Sequence, residues 1–267
     1  MMITSLNNPM VKLIRSLRDR KARQESGLFY VEGIRLVGEA VQTGAQIEML
    51  VVSPELLTSS FALKLVEEQC AQGVTLCEVS AQVFEKIALK EGPQGIAALA
   101  RPRYLPLGEV RFDNRLCWVA LDEVADPGNL GTILRTCDAV GCGGVILLDH
   151  STDPYDPNVI RASMGAIFSQ AVVRATLSDF ICWKKDQGVN LVGTSDKAEV
   201  DYRAGVYSQP LVLLMGSERQ GLQPQHLAVC DQLVGIPMGG RSDSLNLAVA
   251  TAVVLYEIFN QKRLCKG

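Results

Sequence analysis

Residues 116–148 read LCWVALDEVADPGNLGTILRTCDAVGCGGVILL, and their periodicity decides the fold class. Leu116 to Leu121 is a continuous apolar run of strand length. Leu130, Ile133, Leu134, Cys137 and Val140 then recur at helical spacing and form one face. Gly141 stops that helix, and Val145 to Leu148 is a second apolar run. Strand, helix and strand in this order predict a β-α-β unit and a parallel sheet. Ligands of such sheets sit beyond the carboxyl ends of the strands, so the segment from Asp122 to Gly131 is the first place to look for a site.

The alternation continues downstream. Helices are expected over Asn158–Phe168, Ser178–Gln187 and Pro224–Cys230, and strands at Ala171–Val173, Leu191–Thr194, Leu211–Met215 and Leu233–Pro237. A last helix, Ser244 to Lys262, is apolar nearly all round and is expected to be buried on most faces. Upstream, Val11 to Arg23 places Val11, Ile14 and Leu17 on one helical stripe. Helices at Gly33–Thr43, Phe61–Gln72 and Ala81–Leu89 alternate there with strands at Phe29–Val31, Ile47–Val52, Val74–Val79 and Gly95–Ala100. Arg101 to Gly108 carries two prolines and a glycine and reads as a linker. The expectation is an α/β protein with a small N-terminal α/β domain, 1–104, and a parallel-sheet domain, 105–267.

Composition narrows the class. Of 267 residues, 48% are apolar and 21% charged, a globular balance that excludes disordered, collagen-like and coiled-coil chains. The apolar run from Leu245 to Phe259 is broken by Asn246, Thr251 and Glu257, short of the roughly 20 residues of a membrane span. Asn7, Asn8 and Pro9 stand where a signal peptide would carry its apolar core, so no export is expected. Eight cysteines include no C-x-x-C pair, and several sit inside apolar runs, which points to reduced thiols in the cytoplasm and to no zinc site. With only His150 and His226, metal hydrolysis and histidine-based triads are disfavoured, and His226 beside Pro224 reads as a surface helix residue. Net charge is −3, yet residues 1–35 carry +4 and the remainder −7. Lys12, Arg15, Arg18, Lys21 and Arg35 are therefore candidate phosphate contacts, the plain alternative being a solvated amphipathic helix.

Three strand-end loops are richer in glycine and polar groups than turns require. In the first, Asp122 to Gly131, Pro127 suits a helix start and the amides of Gly128 to Gly131 are placed to face an anion. Arg135 follows off the apolar stripe, where a salt bridge to Asp138 would be its structural use. The second, Gly216-Ser217-Glu218-Arg219-Gln220-Gly221-Leu222, brackets a charged pair with glycines after a buried strand. The third runs from Ile236 to Ala248: Gly239-Gly240 permits positive φ, Ser244 can cap the last helix, and Asn246 needs hydrogen-bond partners if buried.

Together these loops resemble the three signature motifs of the SpoU-type (TrmH-like) RNA 2′-O-ribose methyltransferases. The matches are Asp126-Pro127-Gly128-Asn129-Leu130-Gly131 through Arg135-Thr136, Met215-Gly216-Ser217-Glu218 with Gly221-Leu222, and Ile236-Pro237-Met238 with Ser244-Leu245-Asn246 and Ala248. Phe29-Tyr30-Val31-Glu32-Gly33 after a basic helix is similar to the family's RNA-substrate-binding domain, a ribosomal-protein-like α/β fold. The resemblance implies a C-terminal domain threaded as a trefoil knot, S-adenosylmethionine as cofactor, and a homodimer. Carried over by position, the cofactor contacts fall on Thr194, Gly216, Ile236, Met238 and Leu245. The catalytic or substrate-positioning side chains fall on Asn129, Arg135, Glu218, Ser244 and Asn246.

The chemistry requires that a ribose hydroxyl be aligned with an activated methyl group and helped to lose its proton. The family assigns proton removal to the Arg135 position. A guanidinium of pKa about 12.5 or more is ordinarily a donor only, so a grip on a backbone phosphate with stabilisation of the developing alkoxide is the second role open to it. Asn129 and Ser244 would orient the ribose, and Glu218 would order the arginine or accept the proton; no metal is needed. The N-terminal domain favours large-subunit rRNA over tRNA as substrate. A tRNA 2′-O-methyltransferase, a base-nitrogen methyltransferase, an antibiotic-resistance rRNA methylase and a non-catalytic RNA-binding protein are the alternatives.

Overall fold

The computed structural model describes residues 2–264. Contacts divide the chain into two compact units, one formed by 1–103 together with 155–168 and the other by 104–154 with 169–267. The first unit opens with α1 (Pro9–Ser16) and α2 (Arg20–Ser26). Pro9 occupies the first turn of α1 and the Asn8 side chain accepts from the Met10 amide, an N-terminal cap. The expected single helix from Val11 to Arg23 is thus two. The chain leaves α1 at Leu17 and restarts after Asp19, and Val11, Ile14 and Leu17 are all buried across the break. Each such side chain contributes about 1.5–3 kcal/mol of burial.

Next come β1 (Phe29–Glu32), α3 (Ile34–Gln42), β2 (Ile47–Val52), α4 (Ser60–Ala71), β3 (Thr75–Glu78), α5 (Ala81–Ile87) and β4 (Ile96–Ala100). The sheet order is β1-β4-β2-β3, with β4 antiparallel to both neighbours and β2 parallel to β3. β4 is buried along its whole length, as befits a central strand made of Ile96, Ala97, Ala98, Leu99 and Ala100.

The second half of the chain runs β5 (Trp118–Asp122), α6 (Pro127–Val140), β6 (Gly144–Leu148), α7 (Pro157–Ser163), α8 (Ala166–Ser169), β7 (Ala171–Ala175), α9 (Leu177–Gln187), β8 (Asn190–Thr194), β9 (Val200–Asp201), β10 (Leu211–Met215), α10 (Pro224–Leu227), β11 (Gln232–Gly235) and α11 (Leu247–Leu264). Seven strands in the order β7-β6-β5-β10-β8-β11-β9 form a sheet in which every pairing is parallel. β5, β6 and β10 are buried at every residue, the signature of a sheet covered on both faces. One face packs Trp118, Ile146, Val173, Leu191 and Leu214 against Phe180 and Trp183 of α9. Gly141 ends α6 in the left-handed conformation at φ +75°, which costs glycine nothing.

The predicted β-α-β unit is present as β5, α6 and β6, in register from Trp118↔Gly144 to Asp122↔Leu148. Three differences stand out. The helix expected at Asn158–Phe168 is split by Met164 and Gly165, both at positive φ, into α7 and α8. The short edge strand β9 lacks enough apolar residues to announce itself. Residues 155–168 belong to the first unit although the chain reaches them from the second. Buried Arg23 reaches Asp156 at 3.2 Å, and the Phe29 and Tyr155 rings lie 4.5 Å apart, so a single cut at the linker leaves out this excursion.

Candidate active site

The three suspected loops leave the carboxyl ends of β5, β10 and β11. The first two are neighbours in the sheet, with Met215 of β10 opposite Leu121 of β5. Glu218 reaches back across that boundary. Its carboxylate accepts from the backbone amides of Ala125 and Asp126, each at 3.1 Å, and from the Asn129 side-chain amide at 3.1 Å. Asn129 Oδ1 in turn accepts from Asn246 Nδ2 at 2.9 Å. One hydrogen-bonded line, Glu218–Asn129–Asn246, therefore ties all three loops together. Burial pushes the Glu218 carboxyl up, but donation from Ala125, Asn129 and Asp126 outweighs it and leaves the pKa below the ordinary value.

Two helix starts frame this line. Asp126 caps α6 by accepting from the Asn129 amide at 2.9 Å, with Pro127 in the first turn. The amides expected to face an external anion are thus partly taken by the protein's own Asp126, while Glu218 occupies the two amides before them. Asn246 caps α11, its Oδ1 accepting from the amides of Ala248 at 2.9 Å and Val249 at 3.3 Å. Ser244, read from sequence as the cap, lies before the helix and donates to Asp243 at 3.1 Å. Asn246 is exposed and is not held inside the apolar segment. Gly239 and Gly240 have neither positive φ nor a neighbour within 4 Å of an added methyl, so no backbone reason requires glycine there.

Arg135 is exposed on α6. It makes no salt bridge to Asp138, whose carboxylate instead accepts from Ser169 Oγ at 2.6 Å and Gln170 Nε2 at 3.4 Å. Nor does it meet Glu218, which is committed to Asn129 and the loop amides.

Thr194, Gly216 and Ile236 stand at the ends of the adjacent strands β8, β10 and β11. Thr194 donates to Met215 Sδ at 3.5 Å. At Gly216 an added methyl would sit 2.1 Å from the Gly221 carbonyl carbon, so only glycine lets the 216–222 loop fold back on itself. Met238 and Leu245 are 39% and 38% exposed, apolar side chains beside a glycine-lined strand end. A flat, partly apolar cofactor with hydrogen-bonding edges suits this set: backbone near Gly216 for its polar groups, and Ile236, Met238 and Leu245 for its faces.

His226 is the residue that sequence reading misplaced. It is 2% exposed, because the short helix α10 turns it inward. Its Nδ1 accepts from the Gln223 amide at 3.1 Å, and its Nε2 lies 3.3 Å from Asp122 Oδ1 without a hydrogen bond between them. Burial raises the Asp122 carboxyl above its ordinary pKa, and the attraction of His226 only partly opposes it. No spacing in the sequence signals this pair, since the two residues meet through the sheet.

On the first unit Lys12, Arg15, Arg18, Lys21 and Arg35 are all exposed. Lys12, Arg15 and Arg18 line one shallow surface with Ser16 and Asp19. Lys21 lies within 3.8 Å of Glu25 on α2, and Arg35 is in the first turn of α3.

A covered parallel sheet with a polar line joining its strand-end loops, an apolar-walled glycine cradle beside it and a separate α/β unit whose first 35 residues carry +4 define a cofactor-dependent enzyme acting on an anionic polymer. Residues 117–256 match the SpoU rRNA methylase family and residues 8–98 the MRM3-like substrate binding domain. The chain belongs to the SpoU rRNA methylase family. It is 30% identical over 267 residues to the 23S rRNA (uridine(2479)-2′-O)-methyltransferase of Streptomyces viridochromogenes, covering 97% of this chain and 92% of that protein. It is 30% identical over 256 residues to the 23S rRNA (guanosine(2553)-2′-O)-methyltransferase RlmP of Bacillus subtilis, covering 96% and 98%. The crystal structure of an AdoMet-bound rRNA methyltransferase from Sinorhizobium meliloti superposes with TM-score 0.90 at 40% identity over 98% of both chains. S-adenosylmethionine is the cofactor of this chain, and RNA methylation its activity.

Proposed function

We propose that the protein methylates a ribose 2′-hydroxyl of large-subunit rRNA, working as a cytoplasmic homodimer. The observation that carries this reading is the Glu218–Asn129–Asn246 line, which brings the three loops with family motifs into one hydrogen-bonded unit. Both rRNA relatives named above carry a 2′-O specificity in their names and align along almost the whole chain.

The bound cofactor supplies an electrophilic methyl group. Thr194, Gly216, Ile236, Met238 and Leu245 would hold it by backbone approach and apolar contact. Asn129 cannot rotate freely, because Glu218 fixes its amide nitrogen and Asn246 its oxygen. Its remaining hydrogen and lone pair are presented in fixed directions to orient the ribose, with Ser244 on the neighbouring loop. A carboxylate held below its ordinary pKa is a weak proton acceptor, so Glu218 acts by positioning Asn129. Arg135, without a carboxylate partner among the described residues, is available to grip a phosphate and stabilise the alkoxide as its proton leaves.

Homodimerisation rests on α11. Val249 and Tyr256, two turns apart, are 49% and 52% exposed, an apolar stripe beside the site on a helix that otherwise packs against α6. The trefoil knot expected for the family belongs to the same reading. Cytoplasmic residence is supported by seven free cysteines among the described residues, four of them buried. The eighth, Cys265, lies outside the described residues.

The test is mapping of 2′-O-methyl groups in rRNA and tRNA from cells with and without the gene. Loss of one 23S rRNA methyl group supports the reading. Loss confined to tRNA, or no loss, overturns it.

A further inference from the structure

The first unit holds a second feature apart from the methyl-transfer loops. Residues 18–36, 89–90 and 156–161 surround a recess of about 250 Å³ whose wall includes Arg18, Tyr30, Glu32, Lys90, Ile160 and Arg161. Its carboxylates are already occupied. Glu32 accepts the Leu89 amide at 2.5 Å, and Asp156 caps α7 through the Asn158 amide and pairs with buried Arg23. None of its cations is within ion-pair distance of a carboxylate among the described residues, although Lys90 and Arg18 both favour the charged form of Glu32; three cations face two carboxylates, one of which is taken by Arg23. Arg18 donates to the backbone carbonyls of Ile87 and Ala88, at 3.2 and 2.9 Å, and Arg161 reaches only Asn158 Oδ1 at 3.5 Å. The rim is therefore positive, Leu36 and Leu89 form apolar wall, and Tyr30 and Ile160, 3% and 2% exposed, lie beneath it as floor. The Tyr30 hydroxyl is buried without a partner, an unfavourable state that a polar ligand edge would relieve. Arg18 also belongs to the shallow surface lined by Lys12 and Arg15, so the recess opens beside a basic track.

An apolar slot with a cationic rim suits a planar base joined to phosphates, and unpaired RNA bases are commonly captured in this way. We propose that the recess receives one unpaired nucleotide of the RNA, its base against Tyr30, Leu36, Leu89 and Ile160. Its flanking phosphates meet Arg18, Lys90 and Arg161, and the strand continues over Lys12 and Arg15. The proposal rests on the RNA-methylating reading for the identity of the ligand and adds where and how the substrate is held.

Fluorescein-labelled nine-nucleotide single strands of A, C and U, and a nine-base-pair RNA duplex, are titrated into the full-length protein. Lys90→Gln with Arg161→Gln should weaken single-strand binding roughly tenfold, and Tyr30→Phe should weaken it measurably without lowering the thermal midpoint. Lys64→Gln with Lys185→Gln, an equal change of charge on exposed residues that do not line the recess, is the control. The proposal falls if the recess pair weakens binding no more than the control pair, if Tyr30→Phe has no effect, or if the single strands bind no better than the duplex. Methylation of 23S rRNA by the same preparations separates the two readings. A wild-type protein that captures single strands through the recess yet methylates no RNA would overturn the enzymatic reading and leave the recess standing. Unchanged methylation and binding by the variants would do the reverse.

Discussion

Glu218 shows how a loop residue gains a role from its donors. Three N–H groups converge on one carboxylate, two from the backbone just ahead of α6 and one from the Asn129 side chain. Its folded-state pKa is lowered, so its contribution is fully present above the unfolded value, near 4.3, and is lost as pH falls through the folded value. Glu218→Gln should therefore lower the thermal midpoint at neutral pH, and the gap from wild type should close on acidification. A gap constant from pH 7 to pH 3 would show that the charge is immaterial. Arg135 belongs to the opposite case, an exposed cation that the fold itself does not need. Arg135→Ala should abolish turnover and leave S-adenosylmethionine affinity within a few-fold, as calorimetry would register. Near-normal methylation by that variant would remove Arg135 from the mechanism.

Among the elements, helix starts carry most of the site. Asn246 both caps α11 and holds Asn129, so Asn246→Ala should cost about 1 kcal/mol of stability through the lost cap. It should depress kcat far more than that stability loss explains, because Asn129 is released. Asn246→Asp keeps the cap but replaces the amide that donates to Asn129, and a kcat equal to wild type in that variant would deny the link. α1 and α2 together form the basic element. Neutralising Lys12, Arg15, Arg18 and Lys21 should weaken rRNA binding and flatten the slope of log affinity against log salt, since fewer counterions are released. Lys21 is highly exposed and already faces Glu25, so most of the change should come from the α1 side. An unchanged slope would make this a solvated face only.

For the whole molecule, the excursion at 155–168 governs how the chain can be divided. The Tyr155 ring lies against Phe29 at a 35° tilt, its hydroxyl bonds the Arg103 backbone, and Asp156 holds Arg23. A fragment beginning at Leu107 would leave Tyr155, Val159, Ile160 and Ile167, all buried in the full chain, without the residues that cover them. That fragment should unfold at a lower temperature than the full-length protein and aggregate on concentration, as differential scanning fluorimetry and light scattering would show. Replacing 155–168 by a short glycine-serine loop in the fragment should restore solubility. Equal stability of the plain fragment and the full chain would mean that the excursion stands without its cover.

Sequence alone determined whatever depends on local periodicity and on the chemistry of short segments. The β5–α6–β6 unit, the all-parallel second sheet, the fully apolar central strands and the three glycine-rich loops were legible because buried strands and amphipathic helices impose their spacing on neighbouring residues. Helix ends were less legible. Ser244 and Asn246 are both competent caps, and only the path of the chain assigned the role to Asn246. Tertiary structure decided the rest, namely the Glu218–Asn129–Asn246 line, the inward turn of His226 onto Asp122, and the return of residues 155–168 to the first unit. Each joins residues far apart in the chain, Asn129 to Asn246 by 117 positions. Such pairings leave no periodic trace, because a hydrogen bond constrains two side chains in space and says nothing about the residues between them.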